Sequence, residues 1–567
     1  MLKHFAAATA ATIALGLTAP AALAQDRSQS RSMVGSQLGV VASESVLASE
    51  VGARVLESGG NAIDAAIATN AMMGLIAPMN DGIGGDLFAI VYEAKTGKLY
   101  GLNASGWAPA ALTADYLLGK GIKEMPQRGI NSVTVPGAVE GWDQLSKRFG
   151  TKKLGELLAP AIAYAENGFP VGEVVQAYWR DSEKILREDE PTAKTYMPLG
   201  HIPAVGEVFK NPDLAWSYRQ IAAQGRDAFY KGEVAKKMLA TFATHAGVMK
   251  APDLAEYNAE WVEPISTTYR GWTVYELPPN GQGIAALEML NIMEHFPLAQ
   301  MGHNSVAALH SMIEAKKIAY ADMIRYDADP RFAKIPVAGL KSKEFAAERA
   351  KLIDQAKAAC DVGPGVPPQT DNGTTYLSAV DKDGNMVSLI QSNYSTVGFG
   401  AGIAVGGAGF VLQNRGALFV LDKNHPNVLA GRKRPVHTII PAFMQKGDVR
   451  IAFGIMGGWN QAQAQAQFVS NLVDYGMNVQ GAMDAARFSK ETFAGCDVNF
   501  EARIPEATRK ELTAMGHKIV MRGDYSSTRM GSGQAVMRDF GKKINFGASD
   551  PRKDGAAVAE LQAFAKP

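Results

Sequence analysis

The sequence predicts a mixed α+β globular fold in one or two closely joined units. Three observations carry that expectation. Hydrophobic residues make up 47% of the 567-residue chain and charged residues 20%, enough apolar material for a large core and too little charge for disorder. Strand-like and helix-like stretches alternate along the whole length with no internal repeat. A break in composition near residue 361 separates a long first part from a shorter second part that opens on a hairpin.

In chain order, Lys3, the apolar run Phe5 to Thr18 and the small residues of Ala22-Leu23-Ala24 read as a cleaved secretory signal over 1–24. That run is shorter than the roughly 18 residues that span a bilayer, so the mature chain starts near Gln25, periplasmic or secreted and without a membrane anchor. Residues 25–37 are polar and serine-rich, a flexible lead, and the fold is expected to begin near Leu38. Gly39 to Ala42 and Leu87 to Tyr92 read as strands around a helix from Asn61 to Ile76, with Asn61 as its cap. Val139 to about Ala356 reads as mostly helical, broken at Pro160, at Pro170 and at the Pro278–Gly283 loop. Asp361 to Gly373 has the composition of a linker. Thr374–Val380 and Met386–Ser392 then form a hairpin around Asp381–Asn385. Pairing Asp381 with Asn385 sets Ser392 opposite Thr374, and a one-residue slip would set Asn393 there instead. Finally, Ile451–Asn460 is a strand running into Gly457-Gly458 and a helix to about Tyr475.

Lysine and arginine total 57 against 56 acidic residues, which gives no reason to expect nucleic acid or an anionic membrane as partner. A small neutral or mildly charged ligand fits better. The nine histidines show no HExxH, HxH or CxxC arrangement, so no dedicated metal site is visible and no cofactor is expected. Phosphate-loop and GxSxG signatures are absent, and the glycines at 400–409 lack the strand-to-helix context of a dinucleotide site. Cys360 and Cys496 can pair in an exported compartment, or remain as two buried thiols.

A threonine at the first position of a strand, directly after a linker, has a specific chemical use. If the Gly373–Thr374 bond is cut, Thr374 carries an α-amine of pKa about 8 beside its own hydroxyl, so one residue supplies nucleophile and base. The Gly457-Gly458 turn leaves backbone N–H groups at a helix start, a natural donor pair for an oxyanion.

Together with Ala42-Ser43, Gly59-Gly60-Asn61-Ala62-Ile63-Asp64, Gly82-Ile83-Gly84-Gly85, Val135-Pro136-Gly137, Pro278-Pro279, Arg432-Lys433-Arg434-Pro435 and Asp550-Pro551-Arg552, this pattern resembles the γ-glutamyltranspeptidase family over almost the whole mature chain. Those enzymes are N-terminal-nucleophile hydrolases that cut themselves to expose a threonine. The resemblance implies a four-layer αββα sandwich built jointly by a large fragment, 25–373, and a small one, 374–567, as a heterodimer. It implies Thr374 as nucleophile in self-cleavage and catalysis, with Gly457 and Gly458 holding the oxyanion. Ser392 falls where the family has a second threonine that bonds to the nucleophile, in agreement with the hairpin register. Whether Asn393 or Tyr394 takes the place of the family's next asparagine stays open.

The substrate cradle departs from the family. Ser105 stands where glutamyl-binding members have the arginine that clamps the α-carboxylate, Leu418 where they have an acidic residue for the α-ammonium, and His437-Thr438 where they have two serines. Arg415 is new in that neighbourhood, either as a carboxylate ligand assisted by His437 or as a solvated surface charge. The pattern, including Gly85-Asp86 and Gln413-Asn414-Arg415-Gly416, looks like the divergent branch of glutaryl-type acylases and oxamate amidohydrolases. The expected function is hydrolysis of an amide through a threonine acyl-enzyme, with an acyl group other than γ-glutamyl. True γ-glutamyl transfer and an uncleaved binding protein are the alternatives.

Overall fold

The computed structural model describes residues 29–363, 374–394 and 398–562, so the expected signal at 1–24, Gly373 and the linker beyond 363 lie outside the described residues. Two seven-stranded sheets are built from β1 (Val34–Ser36), β2 (Val40–Ser43), β3 (Asp86–Glu93), β4 (Lys98–Ala104), β5 (Glu260–Val262), β6 (Ile265–Tyr269), β7 (Trp272–Glu276), β8 (Thr375–Val380), β9 (Met386–Ser392), β10 (Ala442–Lys446), β11 (Val449–Met456), β12 (Ser532–Asp539), β13 (Ile544–Ser549) and β14 (Ala556–Ala559). The first sheet runs β14-β2-β8-β9-β3-β4-β5 and the second β1-β13-β12-β11-β10-β7-β6.

Strand alternation creates the layers. Phe88, Ile90, Tyr376 and Ile390 of the first sheet meet Phe443, Ala452 and Val536 of the second in a fully buried apolar inner layer. Their neighbours Leu87, Ala89, Leu377 and Leu389 point the other way, onto helices α1 (Val46–Glu57) and α2 (Ala62–Ile76). The outer face of the second sheet, with Met444, Ile451, Phe453 and Ile455, packs on α3 (Gly283–Met293), α4 (Val306–Tyr326) and α5 (Gln461–Val473). The result is an αββα sandwich with central strands buried on both faces, which is why β8 and β9 read as unbroken buried runs. Asn61 caps α2 as expected: its side chain accepts from Ile63 N at 2.9 Å and Asp64 N at 3.0 Å, while Asp64 reaches back to Asn61 N at 3.0 Å.

Three local expectations are corrected. The polar lead contains β1, an edge strand pairing Val34 with Gly547, because main-chain ladder bonds hold an edge without needing apolar side chains. Pro160 does not break its helix, Leu154–Asn167, since burial of Leu157, Leu158, Ala161 and Ala165 outweighs the missing hydrogen bond. The segment 260–276 lies in sheets rather than helix: β6 and β7 are rich in β-branched and aromatic residues and turn at Arg270-Gly271, with φ of 46° and 83°. Cys360 and Cys496 form a disulfide. Among the described residues no helix is long and apolar enough to cross a membrane.

Candidate active site

The hairpin adopts the expected register. Thr375 pairs with Gln391 and Val380 with Met386, and Asp381 N donates to Asn385 O at 3.1 Å. The Asp381 carboxylate also accepts from Ala62 N at 3.1 Å, which pins the turn to the start of α2. Thr374 therefore faces Ser392, and its Oγ1 donates to Ser392 Oγ at 3.2 Å, both side chains fully buried. The Ser392 hydroxyl also accepts from Tyr394 N at 2.7 Å.

The same register carries across the sheet. Ser392 pairs with Asp86, and the pairing of Leu87 with Ala104 sets Asp86 level with Ser105. Thr374, Ser392, Asp86 and Ser105 thus form one row over four adjacent strands, on a single face, at roughly 4.8 Å per strand.

A cluster of charge surrounds Asp86. Its Oδ1 accepts from Gly106 N at 2.8 Å and Gln413 Nε2 at 2.9 Å, and its Oδ2 lies 2.8 Å from His437 Nε2. Arg415 is fully buried, which overturns the surface alternative. The chain folds into a short 3₁₀ turn at Arg415–Leu418, and the guanidinium lies among buried side chains rather than at the surface. Its Nη1 donates to Thr438 Oγ1 at 2.6 Å, Nε stands 3.8 Å from Asp86 Oδ2, and the guanidinium lies 4.4 Å over the Tyr394 ring. Nε and Nη2 have no hydrogen-bond acceptor among the described residues. Burial pushes the Asp86 carboxyl up to about 7 against the pull of Arg415, and lowers Arg415 to about 10. His437 is held well below its usual range by burial and by Arg415 and Arg434, so it stays neutral.

Asn393 and Tyr394 separate clearly in place. The Asn393 amide turns away to Pro78 O at 3.1 Å and Asp81 O at 2.7 Å, whereas Tyr394, at a left-handed φ of 59°, puts its ring under Arg415. Ser105 donates to Asn103 Oδ1 at 2.7 Å, and Asn280 Nδ2 reaches Ser105 Oγ at 3.3 Å. Asn103 and Asn280 floor a cavity of about 350 Å³ walled by Pro278, Pro279, Val262, Pro330, Ile335 and Val337.

Strand β11 crosses the hairpin with Phe453 O accepting from Ser388 Oγ at 3.2 Å and with Gly454 leaving room for the Tyr376 ring. Following β11 onward and β8 backward brings the Gly457-Gly458 turn to the end of the sandwich that carries Thr374. Both glycines are left-handed, with φ of 132° and 58°. The turn is followed by a single 3₁₀ turn and α5, as the sequence predicts.

Elsewhere, His310, Glu314 and His517 place one ligand atom each within 4.8 Å of one another, a cluster that the sequence spacing did not reveal. Lys317 Nζ already neutralises Glu314 at 2.6 Å, and His310 Nδ1 meets His517 Nε2 at 2.9 Å. The arrangement balances its own charge.

Asp86, Tyr394 and Gln413 are site residues that motif reading did not assign. Extending the hairpin register by one more strand places Asp86 beside Ser392 from sequence; Gln413 stands in the Gln413–Gly416 motif, which by itself gives it no role.

A family model described as Gamma-glutamyltranspeptidase matches residues 48–560. The chain is 37% identical over 535 residues to the glutathione hydrolase-like YwrD proenzyme of Bacillus subtilis (strain 168), covering 93% of this chain and 99% of that protein. It is 33% identical over 533 residues to the acylase ACY 1 proenzyme of Pseudomonas sp. (strain SE83), covering 92% and 93%. The crystal structure of cephalosporin acylase from Bacillus halodurans superposes with a TM-score of 0.88 at 41% identity, over 94% of this chain and 98% of that one.

Proposed function

Because this chain belongs to the gamma-glutamyltranspeptidase family and is a self-processing N-terminal-nucleophile amide hydrolase of the acylase and glutathione hydrolase kind, we propose that Thr374 is its nucleophile and that its acyl substrate ends in a carboxylate held by Arg415. In self-cleavage, Thr374 Oγ attacks the Gly373 carbonyl carbon, the peptide nitrogen leaves as the new α-amine, and water hydrolyses the resulting ester. The products are the fragments 25–373 and 374–567. In turnover, the α-amine takes the Oγ proton as Oγ attacks the substrate amide, then gives it to the departing amine, and water releases the acyl group as a carboxylic acid. The N–H groups of Gly457 and Gly458 stabilise the oxyanion, and Ser392 orients Oγ through the 3.2 Å contact. Export by the 1–24 signal to the periplasm or medium belongs to the same reading.

One observation carries the acyl assignment: a fully buried guanidinium whose Nε and Nη2 have no acceptor among the described residues, beside Thr438 and neutral His437. A carboxylate supplies both missing acceptors at once. Ser105 and Leu418 at the family's clamp positions leave standard γ-glutamyl groups without their usual partners. The test is N-terminal sequencing of the purified fragments, followed by kinetics on glutaryl, pentanoyl and γ-glutamyl p-nitroanilides. A small fragment beginning at Thr374 and a preference for glutaryl support the reading. A single uncut chain, or equal rates on glutaryl and pentanoyl substrates, would overturn it.

A further inference from the structure

The loop before α3 touches both halves of the proposed machinery. His437 N donates to Asn280 O at 2.6 Å and Gln282 N donates to His437 O at 3.0 Å, so residues 280–282 run alongside the acyl cradle as a short parallel bridge. Gln282 is fully buried. A side-chain amide has two N–H groups, and both are used here: Nε2 donates to Thr438 O and, at 2.7 Å, to Gly458 O. The neighbouring carbonyls of the glycine turn are also tied. Asn460 N donates to Gly457 O at 2.9 Å, and Trp459 O accepts from Tyr320 Oη and from Gln463 Nε2 at 3.4 Å. Carbonyl and amide of one peptide plane point in opposite directions. The Asn460 bond to Gly457 O therefore aims the Gly458 N–H, and the Gln282 bond to Gly458 O fixes the peptide plane on the other side of Gly458, so that residue is held at both of its backbone torsions.

We infer that Gln282 is the positioning residue that holds the Gly457-Gly458 turn in its oxyanion-binding orientation and locks that turn to the Thr438 end of the acyl cradle. It touches neither substrate nor nucleophile and acts through the two carbonyls. The inference rests on the oxyanion assignment proposed above. Its physical content is that two left-handed glycines, having no side chains to pack, need an external strut to keep a preorganised geometry.

The test uses processed enzyme, with active sites counted as moles of small fragment beginning at Thr374. Gln282→Met keeps the side chain's bulk and removes both donors. On glutaryl p-nitroanilide its kcat per site falls between about tenfold and a hundredfold, the range expected when a catalytic group is misplaced by a fraction of an ångström, while KM changes by less than about threefold. The second readout is inhibition by 4-boronobutanoic acid, whose boron accepts Thr374 Oγ to give a tetrahedral anion, compared with inhibition by glutarate. In Gln282→Met the boronate loses affinity by the same factor as kcat, and glutarate does not. A rise in KM with kcat intact, or a boronate affinity equal to wild type, overturns the inference. If wild type binds the boronate no better than glutarate, the oxyanion assignment itself falls. Should Gln282→Met fail to fold or to cut itself, Tyr320→Phe loosens the same turn through Trp459 O. A smaller fall in kcat and boronate affinity then supports the strut, and an unchanged kcat refutes it.

Discussion

Cys360 and Cys496 stand on opposite sides of the proposed Gly373–Thr374 cut, so the disulfide changes its role when the chain matures. In the intact precursor it closes a loop over a sequence separation of 136 residues, which in the chain-entropy account is worth about 5 kcal/mol at 25 °C. Once the peptide bond is cut there is no loop to close. The bond then joins two chains, and unfolding of the oxidised enzyme releases one molecule instead of two. Under native conditions the fragments stay together in any case, because β8, β9 and β14 of the small fragment interleave with β2, β3, β4 and β5 of the large one. The difference therefore shows only on denaturation. In a denaturing gel the processed enzyme runs as a single band without reductant and as two with it. Its urea midpoint is independent of protein concentration when oxidised, and rises with concentration in Cys360→Ser, as mass action requires of a dissociating pair. Two bands in the absence of reductant, or a concentration-independent midpoint in Cys360→Ser, would refute the reasoning.

Three further outcomes are expected. Thr374→Ala yields one uncut, inactive chain on a gel, and an active, cut variant sinks the nucleophile assignment. Arg415→Met lowers kcat/KM on glutaryl p-nitroanilide by at least about tenfold, the worth of a charge-assisted pair, and leaves the pentanoyl substrate far less affected. Equal losses on the two would assign Arg415 a purely structural part. Burial raises Glu44 to about 7, against the pull of Lys553, so between its unfolded value of 4.5 and about 7 the folded protein keeps a proton that the unfolded chain has lost. Stability from this group is thus full below 4.5 and falls as pH rises towards 7, by up to about 1.4 kcal/mol per pH unit. Urea titrations at several pH values should find that slope reduced in Glu44→Gln, and an unchanged slope would show that Glu44 is not the group responsible.

Much of this protein is written in local sequence. The Asn61 cap, the Asp381–Asn385 turn, the Thr374-to-Ser392 register and the strand-to-glycine turn at 457–458 each depend on a few adjacent residues whose conformational preferences agree, so they were legible without coordinates. Pro160 and the β5–β7 strands were misread because packing partners far away in sequence outweigh local preference. That Asp86 and Gln413 join Arg415 and His437 in one buried charge cluster was beyond motif reading for a related reason. Its members come from three separate segments, and burial, which decides whether Arg415 is a solvated charge or a receptor, is a property of the whole fold. Likewise the pairing of the cysteines, the strut at Gln282 and the 310–314–517 cluster are set by which helices and loops the two sheets bring together. The sequence by itself determined the hairpin register that sets Thr374 against Ser392, and the glycine turn at 457–458, because each lies within one strand or hairpin. Only the tertiary structure decided what surrounds them, since desolvation and long-range contact exist only once the layers close.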